Sequence, residues 1–520
     1  MLRSIRTAFV SSIVIFAAGA QHRYVDPTAG NNSFDGLTPA TAWRTIGWAN
    51  VQLPPNVGAT IHVLPGTVST ASGELFPITL RGHRLIGDAG SAATVITAPP
   101  GSAAALSQYT AFGSGDYSSP EIRGFTIRNS SGNGISVFAA WIPLDTALRD
   151  IVIEDGAGGN MSALAVSQGG LNPSLYVSLD HVVVKRCYLG LSVSGAATGG
   201  AITIDANDCQ FVDGFSSGAQ LSSSPVGSSI TLQRCRFGRN AQQGIQASPR
   251  AGTTISLSDC SIVRNGEHGL RINPPSSGAA TVNLDRCTLA SNVGSGLTAV
   301  DGTAPFEMSV QLRGNILFGN ADDVDSNVVT VAARNDVGDG DFAGMNGNFS
   351  ADPLFVAPLT GDFRLGFGSP CIDSGDPSLT AGGLDPTEAE RVLDGDLDTT
   401  ARVDLGSIEH RTLDLTSTGN LGSPLLLEIT GAPGSATIVH FSRLGLAAPQ
   451  STPFGSLELP PNYGQLFVGV IPAVGPFVFQ RPIPNNPALL GRTFGFQALV
   501  ASAAAPVGSC WSSAEAVTIR

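Results

Sequence analysis

Four cysteines, Cys209, Cys235, Cys260 and Cys287, recur at intervals of 25 to 27 residues, each at the same point of a longer pattern. The copies read "ANDCQFVDGFSSGAQL", "LQRCRFGRNAQQGIQA", "LSDCSIVRNGEHGLRI" and "LDRCTLASNVGSGLTA". Two positions after each cysteine stands an apolar residue: Phe211, Phe237, Ile262, Leu289. Asn240, Asn265 and Asn292 follow at plus five, and Gly218, Gly244, Gly269 and Gly296 at plus nine. Using the cysteine as anchor, the register extends to Gly124, Asp150 (with Gly159 at plus nine), His181 and Gly314, giving intervals of 25 to 31 residues.

Short alternating strands broken by Asn and Gly at this period fit one coil of a parallel β-solenoid, two or three strands per coil. Coils stacked about 4.8 Å apart bring equivalent positions into ladders of like residues. Asn in a tight turn tolerates a left-handed backbone and bonds its neighbours above and below, and the following glycine marks a second bend. The amphipathic helical patterns of leucine-rich or helical repeats are absent.

Composition agrees. The 520 residues are 42% hydrophobic and 13% charged, with 63 glycines and 33 prolines, which suits an all-β chain rich in turns. The net charge is −13 and Lys185 is the single lysine, so nucleic acid is not an expected partner. Arg3 and Arg6, an apolar run from Ala8 to Ala18 and Ala18-Gly19-Ala20 read as a signal peptide over residues 1–20, cleaved before Gln21. No later run is long and apolar enough to span a bilayer. The expectation is an exported protein of the extracellular space or cell surface.

The segments "YVDPTAGNNSFDGLTPATAWRTIGWA" (24–49), "IHVLPGTV" and "LIGDAGSAATVITAP" resemble the start of secreted bacterial right-handed parallel β-helix proteins of the pectate-lyase-like superfamily. There the Thr45–Ala49 region would form a helix capping the open solenoid end, where strand edges and core need cover. "DPLFVAPLTGDFRLGFGSPCIDSGD" (352–376) and "DGDLDTTARVDLGSIEH" (394–410) resemble the terminal rungs of the choice-of-anchor β-helix group, with Cys371 in place of a small residue. The resemblance implies a β-helix over residues 21–410 with an N-terminal cap and closing rungs. From about 411 to 520, strands at roughly ten-residue spacing with Pro/Gly turns read as a small β-sandwich.

Several residues invite chemistry. The cysteine column lacks any C-x-x-C pair, so it fails as a metal site. Core thiols are the expected state; disulfides stay open, although stacked Cβ atoms near 4.8 Å are wider than a bridge prefers. Glu267 and His268 are the catalytic candidates, an acid and an imidazole side by side that no other coil repeats; adjacent residues usually point apart, which favours solvated turn positions. His181 reads as a packed or rim histidine. "GFSSG" (214–218) matches a nucleophile elbow but lacks its strand–turn–helix context. Asp180, Asp208 and Asp259 each precede an anchor and would face outward as a ligand-binding row, interrupted by Arg234, with Asp285 one residue out of step. The resemblance implies outward carboxylates holding Ca²⁺ and a basic residue that abstracts a proton; no such base is apparent. Asp394, Asp396 and Asp398 have the 1, 3, 5 spacing of a Ca²⁺ loop, without its Gly at position 6 or Glu at position 12. An end-capping turn is the first reading and a structural Ca²⁺ the alternative; no other cofactor is implied. The functional expectation is a non-catalytic β-helix binding polysaccharide or cell-envelope glycan along its long face. The alternative is a polysaccharide lyase or glycoside hydrolase.

Overall fold

The computed structural model describes residues 21–54, 58–110, 121–128, 131–140, 142–156, 161–169, 173–196, 200–222, 226–275, 278–299, 307–377 and 383–520. Residues 1–20, read above as a signal peptide, and Gly159 lie outside them. No described helix is long and apolar enough to cross a membrane.

The described chain is all-β: a parallel β-solenoid followed by small antiparallel sheets. A typical coil has three strands, here Ser229–Gln233, Arg236–Gly238 and Ile245–Ser248, which define a first, second and third track. Each strand pairs in parallel with its equivalent one coil on, Ile230 opposite Ile255, Phe237 opposite Ile262 and Ile245 opposite Leu270. Among the described residues the third track is a ten-stranded sheet running from Ile78–Leu80 to Val324–Ser326. In earlier coils one long strand, such as Leu144–Glu154 or Leu175–Lys185, runs through the first and second tracks and merges them into one sheet.

The period-2 alternation drives this arrangement. Ile230, Leu232, Cys235, Phe237, Ile245 and Ala247 all point inward and are at most 1% exposed. Phe211 stacks on Phe237 with ring centroids 5.1 Å apart. Each such side chain contributes roughly 1.5–3 kcal/mol through burial, and stacking identical coils makes that burial continuous.

The N-terminal end is covered by the helix Ile46–Gln52, whose Ile46 and Ala49 enter the core. Thr45 caps it by accepting from the Trp48 amide at 3.2 Å. Buried Glu74 accepts from the amides of Ile46 (2.7 Å) and Gly47 (2.9 Å), satisfying two donors that no helical carbonyl can reach.

The register of the repeat needs one correction. Ile151 pairs with Phe125 and with Val182, and Val183 pairs with Gln210. The inward column is therefore Phe125, Ile151, Val182, Cys209, Cys235, Cys260, Cys287. Gly124, Asp150, His181 and Gly314 are instead the corner residues just before it. They share positive φ (81°, 47°, 53° and 67°) with Asp208, Arg234, Asp259 and Arg286 (51° to 55°).

A second correction concerns the asparagines. The left-handed residue at their turn is the one before Asn: Arg239, Arg264 and Ser291, with φ of 55° to 58°. The Asn side chain serves the ladder instead. Asn240 Nδ2 donates to Asn265 Oδ1 (3.0 Å), Asn265 to Asn292 (2.9 Å) and Asn292 to Asn320 (2.9 Å). Asn320 ends the ladder on Asp323 Oδ1 at 2.8 Å. A further ladder continues the cysteine column: the Cys287 amide donates to Asn315 Oδ1, and Asn315 Nδ2 and Asn335 Nδ2 reach Asn335 and Asn348 at 2.9 and 2.8 Å.

The described residues between 352 and 410 do not stack as further coils. They lie across the outer face of the second track, beginning with the antiparallel pair Phe355–Ala357 and Asp362–Leu365. Phe363 packs on Val263 and Ala290, and Ser407 bonds Thr288 Oγ1 through its amide at 3.0 Å. That cover explains why outward positions such as Val263 and Ala290 are apolar and fully buried. Beyond it, a three-stranded and a four-stranded antiparallel sheet share one core containing Leu413, Leu427, Val439 and Ala498.

Candidate functional site

Outward polar columns run along the first track as well, and the one that also borders a pocket lies along the third track and the turn leading into it. Gln220, Gln246, Arg271, Thr298 and Asp325 pair in register, one per coil, and none of them is buried. Their column sits two residues after the bend glycines Gly218, Gly244, Gly269 and Gly296, in strands that alternate apolar-in and polar-out. The glycines allow close stacking: a Cβ on Gly269 would meet the Gly296 carbonyl oxygen at 2.6 Å.

Beside this row runs a second column. The amides of Gly218, Gly244, Gly269 and Gly296 bond the carbonyls of Gln243, His268, Ser295 and Asp322, which fixes those four as equivalents. His268 Nδ1 receives the Ser295 amide at 3.1 Å and faces Thr298 Oγ1 at 3.0 Å. Nδ1 is thus the accepting nitrogen, and Nε2 carries the ring proton. Glu267 turns away, its carboxylate taken by Gln243 Nε2. Sequence adjacency therefore does not make Glu267 and His268 an acid/base pair. His268 and Arg271 share a coil and a face, with Asp322 and Asp325 two coils on, roughly 9–10 Å away at the spacing of paired strands.

Those carboxylates form an acidic pocket of about 650 Å³ lined by Asp322, Asp325, Ser326, Asn327, Asp339 and Asp341. Asp322, Asp339 and Asp341 offer ligand oxygens within 4.8 Å of one another, all exposed. Partial desolvation and then the Asp339 charge push Asp322 and Asp341 above the usual carboxylate range. Such a set can take a hard cation or the hydroxyls of a sugar.

The expected ligand row of Asp180, Asp208 and Asp259 is not a row. Asp180 pairs with Asn207, and that column continues through Gln233, Ser258 and Asp285. Asp285, read as out of step, is in step with Asp180. Asp208 and Asp259 belong to the corner column His181, Asp208, Arg234, Asp259, Arg286, where acid and base alternate. Arg234 holds both oxygens of Asp208 at 2.7 Å, and Arg286 holds both of Asp259 at 2.8 and 2.9 Å. Asp259 is further covered by Arg391 at 3.5 Å. Asp180, His181 and Asp208 offer ligand atoms within 4.8 Å of one another, but the Arg234 clamp already occupies Asp208.

In the Asp394–Asp398 loop the aspartates mainly serve the backbone. Asp394 accepts from the amides of Asp398 (3.0 Å) and Thr399 (2.8 Å), and Asp396 from Asp398 (3.0 Å). The group that converges is Asp373, Asp394 and Asp396, within 4.8 Å, without Asp398. Burial, then the charges of Asp404 and Asp396, raises Asp373 to about 8. Burial raises Asp404 to about 7. All seven cysteines, Cys209, Cys235, Cys260 and Cys287 included, are buried free thiols.

A stack of parallel coils with in-register ladders defines a class, the right-handed parallel β-helix proteins, and this chain has that fold. Residues 111–337 match the family described as "Right handed beta helix region", and residues 28–155 match "Protein of unknown function (DUF1565)". No curated protein matches the chain. Similar solved structures include pectate lyase Pel9A, at 14% identity over 76% of this chain and 98% of that one, TM-score 0.35. The A-module of the Azotobacter vinelandii mannuronan C-5 epimerase AlgE6 is 15% identical over 57% and 91%, TM-score 0.30. The Acinetobacter phage vB_ApiP_P1 tailspike protein is 13% identical over 96% and 89%, TM-score 0.32.

Proposed function

We propose that the protein is an exported, non-catalytic β-helix that binds polysaccharide along the third-track face. The observation that carries this reading is the in-register row Gln220, Gln246, Arg271, Thr298 and Asp325, flanked by His268 and the Asp322–Asp341 carboxylates. Amide, guanidinium, hydroxyl and carboxylate groups repeated at one coil spacing supply paired donors and acceptors to a chain of hydroxyl-bearing units. The face runs along the solenoid, so an extended ligand meets several coils at once and weak contacts add. Arg271 supplies one cation, but Asp322, Asp325, Asp339 and Asp341 on the same face repel a polyanion, so the face favours a neutral glycan. A structural Ca²⁺ at Asp373, Asp394 and Asp396 fits the reading, because a divalent ion offsets the crowding of three carboxylates.

The test is affinity electrophoresis of the whole protein in gels containing acidic or neutral polysaccharides, comparing the native chain with the pair Gln246→Ala and Arg271→Ala. Retardation by one polysaccharide class, lost in the double variant at unchanged melting temperature, supports the reading. No retardation by either class, or retardation the variant leaves intact, rejects it. The alternative, a polysaccharide lyase or glycoside hydrolase, draws on the same juxtaposition of His268, Arg271 and Asp322. Release of new reducing or unsaturated ends from any of these polymers, with or without Ca²⁺, would replace the binding reading by the enzymatic one.

A further inference from the structure

The two C-terminal sheets border a cavity at one end of their shared core. At the opposite end, Leu397 joins that core and Thr430 Oγ1 lies 3.3 Å from His410 Nε2. At the cavity end the core opens. Leu425, Phe441, Leu466, Phe479 and Phe494 belong to the inner faces yet are only partly buried. They line a space of about 590 Å³, within the roughly 300–1,000 Å³ of small-molecule sites. A sandwich whose sheets were fully closed would bury these side chains against each other.

The rim has one sign of charge. Arg443, Arg481 and Arg492 all border the cavity, and no acidic residue lines it. Arg481 pairs across the sheet with Leu425, and Phe479 with Leu427, which belongs to the core, so Arg481 continues an inward-facing row where the sandwich opens. Among the described residues no carboxylate pairs with any of the three guanidinium groups; Arg492 Nε donates to the Ala488 carbonyl at 3.0 Å. In a chain of net charge −13, three unpaired arginines around an aromatic cavity are a selective feature.

We infer that this end of the C-terminal module is a binding site for a single-chain anionic amphiphile, with the alkyl chain in the aromatic cavity and the acidic head group on the Arg443, Arg481 and Arg492 rim. The cavity takes apolar surface out of water, and the rim supplies charge-assisted hydrogen bonds to a carboxylate, sulfate or phosphate. A neutral alkyl ligand would leave the rim unused, and a polar glycan would find few partners inside. This inference is independent of the glycan reading, which concerns the third track.

The experiment is calorimetric titration of the full chain with laurate, dodecanol and acetate, and cosedimentation with vesicles containing anionic phospholipid. Laurate is expected to bind saturably at one site, at least about tenfold more tightly than dodecanol, with acetate too weak to register. The Arg443→Gln and Arg481→Gln double variant, both positions exposed, is expected to reduce laurate affinity about tenfold or more and leave dodecanol unchanged. Leu466→Trp, which fills the cavity, should weaken both. Laurate binding no tighter than dodecanol overturns the role of the rim. Absence of saturable laurate binding, or binding to intact vesicles alone, overturns the site as a receptor for monomeric amphiphiles. The three-ligand comparison on the native chain decides the matter even if a variant fails to fold.

Discussion

Arg286 grips Asp259 from one coil away, Nε to Oδ1 at 2.8 Å and Nη2 to Oδ2 at 2.9 Å. The Asp259 side chain is 3% exposed, and Arg391 approaches the same carboxylate at 3.5 Å from the covering segment. The pair therefore joins two coils to the 352–410 flank at a buried point. Asp259→Ala leaves two guanidinium groups short of their counter-charge and should cost about 3–5 kcal/mol. Asp208→Ala breaks the equivalent but more exposed Arg234 pair and should cost roughly 1 kcal/mol or less. Urea unfolding of both variants checks this. Equal costs would mean that the flank does not bury the Asp259 corner.

The Asn ladder is the second structural prediction. Asn265 Oδ1 accepts from both the Asn240 amide (3.1 Å) and Asn240 Nδ2 (3.0 Å), in fully buried surroundings. Asn265→Ala orphans two donors and should destabilise the solenoid by about 2–5 kcal/mol. Asn265→Asp restores the acceptor but sets a buried carboxylate against Asn292 Oδ1, so it should be no better, and worse as pH rises. Chemical denaturation of the two variants at pH 5 and pH 8 separates these outcomes.

Much of the solenoid was legible because its signals repeat. Cys209, Cys235, Cys260 and Cys287 mark one inward column, and Asn240, Asn265 and Asn292 one turn. The register slipped at Asp150 and His181 because Ile151 and Val182 carry no distinctive residue there. The conspicuous residues were the left-handed corners. The Asn315–Asn335–Asn348 ladder had a partial sign in the sequence, the Gly-Asn pairs Gly314-Asn315 and Gly347-Asn348, whereas the left-handed Arg334 before Asn335 shows only in the backbone. The third-track row was harder to see. Gln220, Gln246, Arg271 and Thr298 each stand two residues after a bend glycine, but only the first two share a residue type, so no ladder of like residues marked the row. Pairing also dissolved the apparent row Asp180, Asp208, Asp259, since one residue of register moves a side chain to another face.

The bend glycines give a third prediction. A methyl on Gly269 would lie 2.6 Å from the Gly296 carbonyl oxygen and 2.8 Å from Asn292 Nδ2, both held by ladder hydrogen bonds. Gly269→Ala must push two coils apart and should cost about 1–3 kcal/mol. Gly383, with nothing within 4 Å of the added carbon, is the control, and Gly383→Ala should stay within about 0.5 kcal/mol of the native chain. Thermal melts of the pair measure the difference. A Gly269→Ala variant as stable as the control would show that coil spacing at this bend is not set by the glycine.

The acidic cluster beneath the C-terminal sheets gives the last prediction, a pH dependence of definite sign. Burial and neighbouring carboxylates raise Asp373 to about 8, and burial raises Asp404 to about 7, from an ordinary 3.8. The unfolded chain releases these protons near pH 4, while the folded protein keeps them until pH 7 to 8. Between those limits the folded state binds more protons, so these groups make stability fall as pH rises. Their contribution is fully present below about pH 4 and lost by about pH 8. The melting temperature should therefore drop between pH 5 and pH 8, and Asp373→Asn, which keeps the side chain neutral, should flatten the drop. If Asp373, Asp394 and Asp396 hold Ca²⁺, the ion competes with protons for the same oxygens. Added Ca²⁺ should then raise the melting temperature more at pH 8 than at pH 5, and Asp373→Asn should abolish that gain. A drop with pH that Ca²⁺ leaves untouched would assign the cluster to proton storage alone, and a melting temperature that rises from pH 5 to pH 8 would contradict the buried-carboxylate account itself.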